Sequence, residues 1–225
     1  MKYGFTLILL GLMIAGYGIY RGGYWWMMLW PAANFLAVGG CYFTRTPGIF
    51  GKRKDGTLPV STKIWLFPLQ TLQKVACHAA NLISKENAFD HLDDRTIIGR
   101  RLSAKELPAE VDNVIDLTCE FEEPGGVRSE RNYLNFPILD ASIPEREKLA
   151  DWVKEVHGLD GVSYIHCAYG HGRTGLFTAA LLMHRDNKLT VVSAIEKLKA
   201  VRPQLECNAE QMKLLEEIHS AGTST

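Results

Sequence analysis

Five residues separate a cysteine, Cys167, from an arginine, Arg173, in a segment rich in glycine. The apolar residues 162–166 before the cysteine predict a buried strand, and the residues after the arginine predict a helix. A glycine-rich loop between a strand and a helix can turn its backbone amides inward and bind an anion. The arginine fork can grip two oxygens of that anion, and the same field favours the thiolate form of Cys167. The spacing therefore predicts a site where a sulfur nucleophile meets a bound oxyanion such as a phosphate group.

The glycines of this loop, Gly170-x-Gly172-x-x-Gly175, also match the spacing of a dinucleotide-binding loop. That fold continues with a second strand, which ends in an acidic residue about 20 positions further on. Residues 190–201 have instead the apolar spacing of an amphipathic helix. Dinucleotide binding also leaves the flanking cysteine and arginine without a role, so we expect no nucleotide cofactor.

The run His166-Cys167-x5-Arg173-Thr174 resembles the signature of the cysteine-dependent protein tyrosine phosphatase superfamily. Its Gly-x-Gly-Arg-Thr-Gly ending is most similar to the dual-specificity group, and the resemblance covers roughly residues 95–219. It implies that Cys167 is the nucleophile, that Thr174 hydrogen-bonds its sulfur, that His166 supports the loop, and that no metal or other cofactor takes part. The phosphate-binding loop implied by the resemblance consists of Ala168, Tyr169, Gly170, His171, Gly172 and Arg173.

The resemblance also calls for a general acid on a loop before the signature. Asp140 follows a predicted strand, precedes a predicted helix and lies 27 residues before Cys167, which is similar to the family's usual placement. A lone aspartate before a helix can instead cap that helix. Because Ser142 is better placed to cap a helix that begins near Pro144, we expect Asp140 to protonate the leaving group.

The sequence contains five cysteines at wide spacings and no C-x-x-C motif, which disfavours a disulfide framework or a zinc ribbon. We therefore expect reduced thiols. Cys119 resembles in position a resolving cysteine of some relatives, which makes it a candidate redox partner that forms a reversible disulfide with Cys167 on oxidation. The alternative is that Cys119 is a small buried apolar residue.

Strand and helix signals alternate through the second half of the chain. Strands are predicted at 96–98, 113–117, 133–139 and 162–166, and helices at 144–157, 174–186, 190–201 and 208–219. Alternation of this kind predicts an α/β fold with a central, mostly parallel sheet flanked by helices. The phosphatase resemblance implies the same architecture.

The first 44 residues carry only two charges, Lys2 and Arg21. Residues 3–20 and 22–44 are uncharged, and each is long enough as a helix to cross a hydrocarbon core of roughly 30 Å. Aromatic residues lie near the ends of both segments, as in interfacial belts. We predict a transmembrane hairpin of two helices over residues 1–44. A signal peptide is the alternative for the first segment, but there is no clear small-x-small cleavage site.

Basic residues follow the second apolar segment at Arg45 and at 52–54, whereas only Arg21 lies in the turn between the segments. Positive charge favours the cytoplasmic side of a membrane. We therefore expect an integral membrane protein with both termini and the main domain in the cytoplasm.

Residues 45–90 read as a juxtamembrane linker that includes an amphipathic helix within 62–84. This helix can lie on the bilayer surface or pack against the following domain, and the sequence leaves both arrangements open. Residues 91–225 then form the predicted catalytic domain.

The predicted function is a membrane-tethered phosphatase of protein tyrosine or dual-specificity type that uses a phosphocysteine intermediate. A phospholipid or phosphoinositide phosphatase of the same superfamily is the alternative. A catalytically inactive phosphate-binding module belongs to a different class, and such relatives typically lack the cysteine or the arginine. Equal numbers of basic and acidic residues, 25 of each, disfavour a nucleic-acid partner.

Overall fold

The computed structural model describes residues 2–222, which form two compact units. The first unit contains the chain up to Arg53 together with Leu58–Ser84, and we call it the helical unit. The second contains Lys54–Thr57 together with the chain from Lys85 onward, and we call it the sheet unit.

Two antiparallel helices, α1 (Lys2–Arg21) and α2 (Leu29–Thr44), pack against each other in the helical unit. A 3-10 turn at Gly23–Met28 joins them. One helix in the described part of the chain, α1, is long and apolar enough to cross a membrane. The predicted second span over residues 22–44 is not confirmed, because its first residues wind as the 3-10 turn. The 16 residues of α2 reach only about 24 Å.

Three glycines of α1, spaced seven residues apart, form the contact with the returning chain. A Cβ atom added at Gly4, Gly11 or Gly18 would lie 2.9 to 3.0 Å from a backbone carbonyl oxygen. Side chains at these positions would hold the two segments apart, so the glycines permit the close approach of the backbones.

The predicted amphipathic segment 62–84 forms two helices, α3 (Val60–Trp65) and α4 (Phe67–Ile83). Two side chains of α2, Trp30 and Asn34, donate hydrogen bonds of 2.8 and 2.9 Å to the last carbonyl oxygen of α3. The junction between α3 and α4 is therefore tied to α2. Both helices expose large apolar side chains to solvent: Val60, Ile64, Phe67, Leu72, Val75, Leu82 and Ile83.

The sheet unit contains five strands in the order β1-β2-β5-β3-β4. The strands are β1 (Phe89–Asp93), β2 (Thr96–Arg100), β3 (Val111–Thr118), β4 (Asn132–Ile138) and β5 (Val162–Cys167). Only β1 is antiparallel to its neighbour, so the expected mostly parallel sheet is confirmed. Because β3 and β5 are parallel neighbours, the loops after their carboxyl ends meet at one edge of the sheet.

Helices cover the sheet. They are α5 (Gly125–Glu130), α6 (Arg146–His157), α7 (Gly172–Arg185), α8 (Val191–Val201) and α9 (Ala209–Gly222). Helix α7 packs against α6, α8 and α9 and is buried along most of its length. Together with Ile115 and Ile165 of the sheet these helices form the larger core cluster. A smaller cluster around Val114 and Tyr164 lies on the other side of the same strands.

Candidate active site

Cys167, the last residue of the central strand β5, lies at the start of the predicted phosphate-binding loop. Its side chain is 3% exposed, and its Sγ accepts a hydrogen bond of 3.3 Å from the backbone N–H of Gly170. Gly170 has φ +75°, and a Cβ there would collide with the backbone of Gly99. Glycine is therefore required for the turn that directs this amide toward the sulfur.

Arg173 lies in the first turn of α7 and is almost completely buried. Its two terminal nitrogens donate to the two carboxylate oxygens of Glu120 at 2.9 and 2.8 Å, and one also donates to the carbonyl oxygen of Ile138 at 3.0 Å. Burial alone would lower the pKa of Arg173, but the charges of Glu120 and Asp140 raise it well above the usual value. Its Nε is buried and makes no hydrogen bond within residues 2–222. The guanidinium is thus charged and fixed, and one donor is unused.

Asp140, the predicted general acid, lies beside the same arginine. Its Oδ1 lies 3.1 Å from a terminal nitrogen of Arg173, and its side chain is 55% exposed. Helix α6 begins only at Arg146, after Glu145, so Asp140 does not cap it. Ser142 does not cap α6 either, because the N-cap position is Glu145 and no side-chain hydrogen bond caps this helix.

Thr174 follows Arg173 in α7 and is fully buried. In the described chain its Oγ1 has no hydrogen-bond partner, so the predicted hydrogen bond to the sulfur of Cys167 is not formed in this structure. The hydroxyl is therefore still able to donate a hydrogen bond to another group.

His166 is buried behind the loop, where the sequence placed a supporting residue. Its Nδ1 lies 3.3 Å from the carbonyl oxygen of Cys167, and its Nε2 lies 3.9 Å from Oε1 of Glu123. Asp116 lies close to both His166 and Glu123, and the three offer a donor set of the kind that binds metals. The carboxylates, however, already accept hydrogen bonds, Asp116 from the hydroxyl of Tyr133 and Glu123 from a guanidinium. We interpret the group as a hydrogen-bonded support for the loop.

A second set of contacts holds the partly exposed side of the loop. Arg202, which is 2% exposed, donates to the carbonyl oxygens of Gly170 and Tyr169 at 3.0 and 3.2 Å. Nε2 of His171 lies 2.8 Å from Oε2 of Glu86, which also accepts from Arg202. These contacts fix the outward-facing carbonyls and thereby the direction of the loop amides.

Two other cysteines lie in this region. Cys119 is buried, and its Sγ lies 3.5 Å from Oε2 of Glu120. Cys207 lies against the loop, with its Sγ 3.8 Å from the carbonyl oxygen of Gly172. Burial raises the pKa of Cys207 to about 12. Pairing between Cys119 and Cys167 stays a prediction, since the two residues are not joined by a disulfide in this structure.

Several residues of the site were not predicted from the sequence. Glu120 was missed because it lies 53 positions from Arg173 in an acidic loop that reads as a solvated surface. Glu86 likewise gave no signal of contact with the loop. Glu120 is the most direct of these, since it alone pairs with both terminal nitrogens of the arginine.

The fold and the Cys-x5-Arg loop at the end of its central strand define a cysteine-dependent phosphatase architecture, and comparison with known proteins agrees. Residues 103–221 match the family model described as the dual specificity phosphatase catalytic domain. Because this match covers more than half of the chain, the protein belongs to the dual specificity phosphatase family.

Individual relatives are more distant. The chain is 32% identical over 108 residues to a putative tyrosine phosphatase, 197R, of Invertebrate iridescent virus 6. That alignment covers 42% of this chain and 40% of the viral protein. Among solved structures, Tk-PTP in its active form is 27% identical with a TM-score of 0.52, over 59% of this chain and 97% of Tk-PTP. PTPMT1 in complex with PI(5)P is 19% identical with a TM-score of 0.55, over 61% of this chain and 98% of PTPMT1. The latter likeness concerns the fold alone.

Proposed function

We propose that the protein hydrolyses phosphate monoesters through a phosphocysteine intermediate. One observation carries the proposal: a sulfur at the end of a central strand, a loop amide directed at it, and a buried arginine with an unused donor belong to one short loop. Family membership supports the same activity.

In the first step the Cys167 thiolate attacks phosphorus in line with the leaving oxygen. The S–P bond forms and the P–O bond to the leaving group breaks. Arg173 and the amides of the loop stabilise the charge on the equatorial oxygens in a site that needs no reorganisation. Asp140, in its acid form, gives its proton to the leaving oxygen. The products are an alcohol or phenol and phosphocysteine.

In the second step the Asp140 carboxylate takes a proton from water. The water oxygen bonds to phosphorus, the S–P bond breaks, and inorganic phosphate leaves with the thiolate restored. Thr174 is the proposed donor to the departing sulfur, and the support for it is its buried hydroxyl without another partner.

We propose a phosphoprotein as the substrate, dephosphorylated at tyrosine or at both tyrosine and serine or threonine. The family description and the name of the viral relative support this class. Residues 91–225 would form the catalytic domain, and 45–90 the linker.

A membrane lipid monoester is the second candidate, and helix α1 favours it. Its length and apolar composition suit a membrane span, and α3 and α4 expose apolar side chains suited to a bilayer surface. We propose that residues 1–44 cross the membrane twice as a hairpin, and that the basic residues after them keep both termini and the sheet unit in the cytoplasm. PTPMT1, which has the same fold, was crystallised with a phosphoinositide.

A substrate panel tests these proposals. The full chain in vesicles is given p-nitrophenyl phosphate, a phosphotyrosine peptide, a phosphothreonine peptide and a monophosphorylated phosphoinositide, with Cys167→Ser as the control. We expect turnover by the wild type and none by the Cys167→Ser variant. Phosphate binding without turnover of any substrate would contradict the enzyme and favour an inactive phosphate-binding module. Faster release from the lipid than from both peptides would move the substrate class to the second candidate.

A further inference from the structure

Two amide side chains at the start of α9, Asn208 and Gln211, contact the loop that carries the candidate acid. Their oxygens form a reciprocal cap on the helix: Oδ1 of Asn208 accepts from the backbone N–H of Gln211, and Oε1 of Gln211 accepts from the backbone N–H of Asn208, both at 3.0 Å. This is the pattern of a capping box. The cap uses only the oxygens, so both amide nitrogens remain for other partners.

Both nitrogens donate to the acid loop. Nδ2 of Asn208 donates to the carbonyl oxygen of Ala141 at 2.9 Å, and Nε2 of Gln211 donates to the carbonyl oxygen of Ser142 at 3.2 Å. Gln211 is 1% exposed, so its hydrogen bond is shielded from water. The two residues that follow Asp140 are therefore each held through the backbone.

The acid loop needs such support. Ala141 has φ +52°, a left-handed conformation that is unfavourable for a residue with a Cβ and persists only where its surroundings fix it. The amide of Gln211 also packs against the phosphate loop, since a Cβ at Gly172 would lie 3.2 Å from its Oε1. One pair of side chains thus contacts both loops of the site.

We propose that Asn208 and Gln211 are positioning residues that hold Asp140 at the phosphate loop for proton transfer. The inference rests on the proposed phosphatase function. A role limited to capping α9 is the competing explanation. The two roles use different atoms of the same side chains and can therefore be separated by substitution.

The informative substitutions keep the capping oxygen and remove the nitrogen donor. Asn208→Asp is isosteric and remains a good helix cap, and Asn208→Ser caps without adding charge. Gln211→Glu retains the capping box but places a charge in a buried position, so the Asn208 variants provide the test if Gln211→Glu does not fold. Each variant of the full chain is first compared with wild type in thermal unfolding.

The readout is kcat/KM for two substrates that differ in their need for an acid, p-nitrophenyl phosphate with a good leaving group and phenyl phosphate with a poor one. We expect kcat/KM of the Asn208 variants to fall about 10- to 100-fold for phenyl phosphate and little for p-nitrophenyl phosphate. The reason is that a displaced acid slows only the reaction whose poor leaving group needs a proton. In an Asp140→Asn background, Asn208→Asp should cause no further loss on phenyl phosphate.

Equal losses on both substrates, or no loss on either, would overturn the positioning role and leave the cap as the explanation. An additive loss in the Asp140→Asn background would overturn it as well. Failure of wild type to turn over either substrate is a different result, since it removes the proposed activity itself.

Discussion

Replacing Glu120 by glutamine tests how Arg173 is held in place. The side chain of Glu120 is 7% exposed and that of Arg173 is 1% exposed. The guanidinium donates two hydrogen bonds of 2.8 and 2.9 Å to the carboxylate. Removing one partner of a buried pair leaves a charge uncompensated, at a cost of about 3–5 kcal/mol. Gln retains one acceptor, and Asp140 still faces the arginine at 3.1 Å. We therefore expect Glu120→Gln to lower the free energy of unfolding by about 3 kcal/mol, the lower end of that range.

The matched control is Glu106→Gln, the same substitution in an exposed pair. Glu106 contacts Arg100 at 2.7 Å with side-chain exposures of 43% and 24%. Exposed pairs contribute about 0–1 kcal/mol, so this variant should differ little from wild type. The assay is urea unfolding of the full chain, read as the change in the free energy of unfolding, together with kcat/KM for p-nitrophenyl phosphate.

We expect Glu120→Gln also to lose about 10-fold or more in kcat/KM, because an arginine that is no longer fixed binds the equatorial oxygens less well. If the two variants were equally stable and equally active, the pairing of Glu120 with Arg173 would not support the site, and the reasoning from burial would be refuted.

Three further predictions concern the thiols and the helical hairpin. Iodoacetate at pH 7 should modify Cys167 and spare Cys207, because the raised pKa of Cys207, about 12, keeps it a neutral thiol. Added phosphate should protect Cys167 from this modification. Preferential labelling of Cys207 would contradict the assignment. Peroxide should link Cys119 to Cys167, and non-reducing mass spectrometry that finds no such peptide pair would eliminate the redox hypothesis. In detergent, with unfolding followed by tryptophan fluorescence, Gly11→Leu should lower the unfolding temperature of the helical unit, whereas Gly16→Leu should not. A Cβ at Gly11 would lie 3.0 Å from a backbone carbonyl oxygen, but a Cβ at Gly16 would meet no atom within 4 Å. Equal effects would mean that the close packing of α1 is unimportant.

The elements that carry the signature were predictable from the sequence because local pattern and spacing specify them. Residues 162–166 are a buried apolar run, and the structure places β5 at Val162–Cys167. The helix predicted over 190–201 is α8 at Val191–Val201, where Thr190 accepts a capping hydrogen bond from Ser193 N–H. Such features depend on neighbours in the chain.

Features that depend on contacts between distant residues were not predictable. The edge strand β1 was not predicted, because its residues Phe-Asp-His-Leu-Asp form neither an apolar run nor a regular alternation. The second predicted span is not confirmed, and composition alone does not distinguish the 3-10 turn at Gly23–Met28 from the start of a helix. The hydrogen bond expected from Thr174 to the sulfur depends on the exact position of a buried side chain, which sequence does not specify.

The central claim is that the sulfur of Cys167 becomes covalently phosphorylated. In the proposed mechanism Asp140→Asn should slow hydrolysis of the intermediate, because this substitution removes the base that activates water. Incubation of this variant with p-nitrophenyl phosphate, followed by acid quench and peptide mass spectrometry, should find one phosphoryl group on Cys167 and none in the Cys167→Ser variant. Turnover by wild type with the phosphoryl group on another residue, or with no covalent intermediate in the Asp140→Asn variant, would contradict the account.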